Sequence, residues 1–203
     1  MRILSCGEHA LLLDLDDVEA ALGLQQAICD AKLPGVVDVV PAEHTVLISV
    51  APGTTRLSQL AEQISALAPV RASTTSCREV EIPVVYDGPD LLRVCEMAGM
   101  SEEALVDRHL RQIWTVAFVG FAPGFGYMTA NAWTHVIPRH SESRLEVRAG
   151  AIGLAGRYCG VYPSDSPGGW QIIGHTTLAV WCPKRNPPAV LRPGTRVRFV
   201  RTC

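Results

Sequence analysis

A chain of 203 residues, 48% hydrophobic but only 19% charged against a usual share of about 25%, is long enough for one domain or two small ones and can bury a core without disulfide or metal staples. Its net charge of −2, from 18 basic and 20 acidic residues that are well mixed, leaves no basic stripe and argues against nucleic-acid binding. No apolar run reaches the roughly 18 residues a membrane helix needs, no charged-then-apolar leader opens the chain, and seven scattered cysteines without a C-x-x-C pair point to reduced thiols, so a soluble cytoplasmic protein is expected. The shortage of charge is what a compact Ala- and Val-rich core gives, and equally what a partner-covered surface gives.

In chain order, residues 10–15 read as a strand, and Asp16 and Asp17 can cap a helix after it. Val18, Ala21, Leu22, Gln25, Ile28 and Cys29 recur at helical spacing, and Leu33-Pro34-Gly35 ends that helix. The β-branched runs Val36–Val40 and Thr45–Val50 flank Pro41-Ala-Glu-His44 and predict a hairpin. Leu57, Leu60, Ala61, Ile64 and Leu67 mark a second helix, which Pro69 ends, and Glu79–Val85 is a further strand. The order β-α-β-β-α-β over residues 1–86 predicts a split-βαβ, ferredoxin-like domain. Asp87-Gly88-Pro89-Asp90 then breaks the pattern. Two short helices come next in a connector spanning 87–112, the second capped by Ser101 with Glu102 and Glu103 in its first turn. From Ile113 the texture becomes short strands with Gly and Pro punctuation: Ile113–Val119, Gly150–Ala155, Gln171–Ile173, Leu178–Trp181 and Arg196–Val200. This predicts a barrel or sandwich over 113–203 and an α+β fold overall.

Most standard catalytic motifs are absent. The chain has no G-x-S-x-G elbow, no H-E-x-x-H and no P-loop, and its six histidines lack metal-ligand spacing, so no metal site is expected and no catalytic residue is assigned. Three constellations remain. Phe121-Ala-Pro123-Gly124-Phe125-Gly-Tyr127 reads either as an aromatic pocket wall or as a hydrophobic plug whose glycines allow close packing. Between Arg139 and Arg148, Arg144 is the candidate anion binder, because an arginine fork can hold a carboxylate in two places. The segment Gly153–Gly174, with six glycines and two prolines, predicts tight turns; Ser164 and Ser166 have only His175 nearby as a base, and nearness in sequence is not a hydrogen bond.

Several of these stretches resemble one family. They are Phe121-Ala-Pro-Gly-Phe-Gly-Tyr127, Arg144-(x)4-Ala149-Gly150, Gly153-x-Ala155-Gly156, Gly160-Val-Tyr-Pro163 and Ser166-Pro-Gly-Gly-Trp-Gln-Ile-Ile-Gly174, with Leu33-Pro-Gly-Val-Val-Asp-Val-Val-Pro41 and Ile82-Pro-Val-Val-Tyr86 earlier. The chain is similar over nearly its whole length to allophanate hydrolase subunit 1, a family also known as the B-type 5-oxoprolinase subunits or the sporulation-kinase inhibitors. The resemblance implies a ferredoxin-like N-terminal part and a cyclophilin-like β-barrel. It also implies a homologous second subunit and, in the 5-oxoprolinase type, a third, the complex opening 5-oxoproline to glutamate with ATP. The missing serine-amidase signature favours 5-oxoproline over allophanate.

On that reading the chain is inactive alone, and His109, Arg144, Tyr162, Ser166, Trp170 and Gln171 line a site shared with the partner. Arg144 binds a substrate carboxylate, and the backbone N–H groups of Gly168 and Gly169 face a developing oxyanion. Phe121, Pro123, Gly124, Phe125 and Tyr127 form the pocket wall. The rival reading is a regulatory protein that inhibits a sensor histidine kinase through an apolar face.

Overall fold

A computed structural model describes residues 1–67 and 78–202, and these fall into two compact units, within Met1–Thr74 and Thr75–Cys203. Pro69, expected to end a helix, and Cys77 and Cys203 lie outside the described residues.

The first unit runs β1 (Arg2–Ser5), β2 (Ala10–Asp14), α1 (Val18–Ala31), β3 (Val36–Pro41), β4 (Thr45–Val50) and α2 (Leu57–Ser65). Its sheet has the order β1-β2-β4-β3 with every neighbour antiparallel. Along β2 and β4 buried and half-buried residues alternate, so one face presents Leu11, Leu13, Val46, Ile48 and Val50. Ala21, Leu24 and Ile28 of α1 and Leu60 and Ile64 of α2 close that core. Asp17 caps α1, its carboxylate accepting from the Ala20 N–H at 2.8 Å.

The sheet order corrects one expectation. The strand at 79–84 does not complete this sheet; the edge place beside β2 is taken by β1, tied by the Arg2–Asp14 ion pair. Only Ile3 of β1 packs on the core, so the strand carries no apolar alternation by which the sequence could announce it.

The second unit begins with β5 (Glu79–Val84), α3 (Leu91–Ala98) and α4 (Glu102–Leu110). It continues through β6 (Trp114–Val119), β7 (Gly126–Thr129), β8 (Arg144–Val147), β9 (Ala151–Ala155) and β10 (Tyr158–Val161) to β11 (Ser166–Gly168), β12 (Gln171–His175) and β13 (Arg196–Arg201). Seven strands form one sheet in the order β12-β9-β10-β7-β6-β13-β5. β5 joins it by parallel pairing with β13, where Ile82 faces Phe199 and Glu79 pairs with Arg198. A bridge between Val85 and His175, hydrogen-bonded both ways at 3.0 and 2.9 Å, links the two ends of the sheet and nearly closes it as a barrel. The two short helices form where expected, Ser101 capping α4, but they are not a free-standing connector: α3 packs on β12 and α4 on β13. Residues 178–181 form no strand; Val180 accepts from the Val190 N–H and Trp181 makes only a single bridge to Ala189. A separate ribbon of β8 and β11 stands apart from the seven-stranded sheet.

The closure has a steric signature at Gly88. A Cβ there would lie 2.3 Å from the carbonyl oxygen of Ile172 and 2.3 Å from the carbonyl carbon of Ile173. Those atoms are backbone of β12 and cannot swing away, unlike a side-chain tip. Gly88→Ala is therefore expected to destabilise by about 3 kcal/mol, the upper end of ordinary overpacking. An unchanged urea unfolding midpoint would show that the seam is looser than the contacts imply.

Candidate functional site

A groove of about 550 Å³ opens on the second unit, lined among others by Asp87, Pro89, Arg144, Glu146, Arg148 and His175. Two of its lining residues, Arg144 and Ile172, are held by Asp90, the residue before α3, which is 4% exposed. One carboxylate oxygen, Oδ2, accepts from the Ile172 N–H at 2.7 Å; the other, Oδ1, accepts from Arg144 Nη2 at 2.6 Å. His140 Nε2 lies 3.1 Å from the same Oδ1, within ion-pair distance but without hydrogen-bond alignment. Burial pushes this carboxyl upward, but the Arg144 hydrogen bond, the Ile172 N–H, His140 and the Arg144 charge outweigh it and hold the group below the usual carboxylate range. Arg144 also donates to the Trp170 carbonyl at 3.4 Å. Its guanidinium thus ties the β8–β11 ribbon to α3 and β12. The arginine expected to grip a substrate carboxylate already grips one from its own chain, and it forms part of the groove wall.

Asp87 and His175 stand together on that wall. Asp87 Oδ1 lies 2.8 Å from His175 Nδ1. Both backbones are fixed by the barrel closure, through the Val85–His175 bridge and the bond from the Gly88 N–H to the Ile173 carbonyl. Arg148 is neutralised by Glu146 at 3.0 Å and by Asp165 at 3.1 Å. Asp165 also accepts from the Ala149 N–H, which with Arg148 holds its carboxyl below the ordinary range.

The remaining expected residues are placed elsewhere. His109, on α4, is fully buried among Trp114, Trp133 and Phe199. Its Nδ1 lies 2.7 Å from Tyr86 Oη and its Nε2 3.4 Å from Cys159 Sγ, and burial pushes its pKa down to about 3. It is a core residue, and its place in a substrate site is corrected on that ground. Gln171 is also fully buried: Nε2 donates to the Pro138 carbonyl at 2.9 Å, and Oε1 has no partner among the described residues. The buried hydroxyl of Ser166 likewise has none, and no described hydrogen bond joins Ser164 or Ser166 to His175.

Tyr162, Phe125 and Trp170 form a buried aromatic cluster, with Tyr127 at its edge, in which rings meet edge to face at 5.1–5.4 Å. A Cβ on Gly160 would come within 2.8 Å of the Phe125 ring, and one on Gly168 within 2.3 Å of Tyr162 Oη. Between pocket wall and plug, the structure therefore chooses the plug. Tyr162 Oη accepts from the Trp170 N–H, and burial raises its phenol. Gly168 and Gly169 are buried, a Cβ on Gly169 would meet Ser143 and Arg139, and neither glycine lines the groove. Gly124 packs on Trp181, whereas Phe121, 60% exposed with φ of 65°, and Pro123 lie at the surface. None of these five aromatic-segment residues lines the groove.

Sequence reasoning missed Asp87, Asp90 and His140, and it considered His175 only as a base for Ser164 or Ser166, not as the partner of Asp87. The only signal was Asp87-Gly-Pro-Asp90, which reads as a chain breaker until its partners are known.

The family model for the carboxyltransferase domain, subdomain C and D, matches residues 1–191. The chain is 38% identical over 210 residues to the B-type 5-oxoprolinase subunit of Escherichia coli O157:H7, covering 96% of this chain and 93% of that one. It superposes on the crystal structure of TTHA0988 with a TM-score of 0.77 at 34% identity, spanning 96% of this chain but only 40% of that longer one. The Kluyveromyces lactis urea carboxylase shares the fold at a TM-score of 0.76 and 16% identity, with 99% of this chain and 22% of that chain covered. This chain is a member of the family of carboxyltransferase domains, subdomains C and D.

Proposed function

We propose that the chain is one subunit of a cytoplasmic ATP-dependent hydrolase that opens 5-oxoproline to glutamate, its site completed by a homologous second subunit. The observation that carries this reading is the near full-length match to a B-type 5-oxoprolinase subunit. The groove supports it from the other side. It gathers His175, Arg144, Arg148, Asp87 and Glu146 but offers no serine or cysteine among the residues that line it, so it can position and exchange protons without supplying a nucleophile. The five described cysteines are all free, which fits a reducing compartment. ATP is a substrate of the complex, and this groove does not fit a triphosphate: Arg144 and Arg148 are each neutralised by carboxylates of the chain itself. The groove is therefore not assigned to ATP.

The test is ATP-dependent loss of 5-oxoproline, measured with this chain alone and with its partner subunits. The expected result is turnover only in the mixture. Turnover by the chain alone, or none in a mixture shown to be assembled, would overturn the proposal.

A further inference from the structure

We infer that Asp87 and His175 are a proton-transfer pair, with His175 Nε2 the group that exchanges a proton with a carbonyl-bearing substrate in the groove and Asp87 its positioning residue. Geometry carries this. The carboxylate engages Nδ1 at 2.8 Å, which leaves Nε2, the other ring nitrogen, for a second partner, and no described contact occupies it. The side chains are 46% and 56% exposed, so the pair is open to solvent and ligand. An ordinary surface ion pair of two such side chains contributes almost nothing and wanders. This one differs because its backbones are locked: Val85 and His175 exchange two hydrogen bonds, and the Gly88 N–H binds the Ile173 carbonyl at 3.3 Å. Residue 88 must be glycine for that approach, and Pro89 stiffens the next bond. The pair therefore sits on the barrel seam, rigid in its main chain, beside a groove large enough for a small ligand.

The charged groups that face it from the other elements lining the groove are Arg144, Glu146 and Arg148 on or beside β8. Both arginines are paired with carboxylates, and among the described residues that line the groove His175 is the one imidazole. With Nδ1–H donated to Asp87, the neutral imidazole presents an Nε2 lone pair. In hydrolysis of a cyclic amide, water oxygen bonds to the carbonyl carbon as one of its protons passes to Nε2. As the ring C–N bond breaks, the same proton passes to the departing nitrogen, and the imidazole is neutral again. Asp87 holds the ring through Nδ1 and fixes the tautomer.

This inference rests on the hydrolase reading for its substrate, so the experiment separates the two. In the assembled complex, His175→Gln is expected to lower kcat for 5-oxoproline by 100-fold or more, with assembly and KM little changed. Asp87→Ala should lower it less and alter the pH profile of kcat, which a merely structural residue would not do. A His175→Gln complex within threefold of wild type overturns the pair. If the wild-type complex does not turn over 5-oxoproline, the hydrolase reading fails, and ¹⁵N NMR of the histidine side chains in the full chain judges the pair by itself. The Nδ1–H tautomer at His175, lost in Asp87→Ala, upholds it; the Nε2–H tautomer in wild type overturns it.

Discussion

Arg144→Ala is expected to destabilise the chain by about 3 kcal/mol, and adding Asp90→Asn is expected to recover part of that loss. The Asp90 side chain is 6% exposed and relies on three partners, of which Arg144 is the closest and the strongest charge. Removing the guanidinium leaves a buried carboxylate with the Ile172 N–H and His140 to offset its desolvation. Breaking a fully buried pair from one side costs about 3–5 kcal/mol; the 31% exposure of Arg144 lets water reach the vacated place and puts the effect at the low end. Asn in place of Asp90 keeps the shape and the acceptor for Ile172 while removing the charge that lacks a partner. The double variant should therefore be less destabilised than the sum of the singles, by about 1–3 kcal/mol of coupling. Arg144→Lys should not substitute, because one ammonium cannot span both Asp90 and the Trp170 carbonyl as the planar fork does. Urea unfolding of the wild type and these variants decides it. Simple additivity would mean that Arg144 and Asp90 act independently and that Arg144 is not held in the groove wall by their pairing.

The same residues show what was legible in the sequence. Helix α1 and strands β2 and β4 were readable because each buries one regular face, so apolar residues recur with the period of the backbone. Strand β5 was readable as a strand but not as a member of the second sheet. Its alternation states that one face is apolar, and nothing in it names β13, whose Arg198 is 119 residues from Glu79. β7, β10 and β11 are three or four residues long and laced with glycine, too short for any period to emerge. The glycine-rich segment expected to form tight turns is mostly strand, β9 to β12, and the close packing of its glycines serves a plug and a pocket equally. Only distances, such as Gly160 against the Phe125 ring, separate them. The groove was opaque for a related reason: Asp87 and Asp90 meet His175 and Arg144, 88 and 54 residues further along the chain.

Lowering the pH from 7 to 5 is expected to reduce stability by about 2 kcal/mol through His109 alone, a loss that His109→Gln should remove. The ring is fully buried, and burial depresses its pKa from 6.5 to about 3 in the folded chain. Between those values the unfolded chain binds a proton that the folded chain refuses. More protons on the unfolded state means that stability rises with pH across this window and falls as pH drops through 6.5, at about 1.4 kcal/mol per pH unit. Asp90 has the opposite placement. Its folded pKa is depressed below an ordinary value of 3.8, so its contribution is complete above that value and is lost only as pH falls further. The interval from pH 7 to 5 therefore isolates histidine. His135, also depressed by burial and by Arg108, is unchanged in the variant and cancels in the comparison. At pH 7 the Gln variant is expected to be the less stable chain, because it loses ring packing against Trp114 and Phe199. Its deficit should narrow steadily by pH 5, as the wild type pays the protonation penalty and the variant does not. Urea unfolding at pH 7, 6 and 5 reads the convergence directly. Parallel curves would show that His109 binds its proton in the folded state, and hence that water reaches the space between Tyr86 and Cys159.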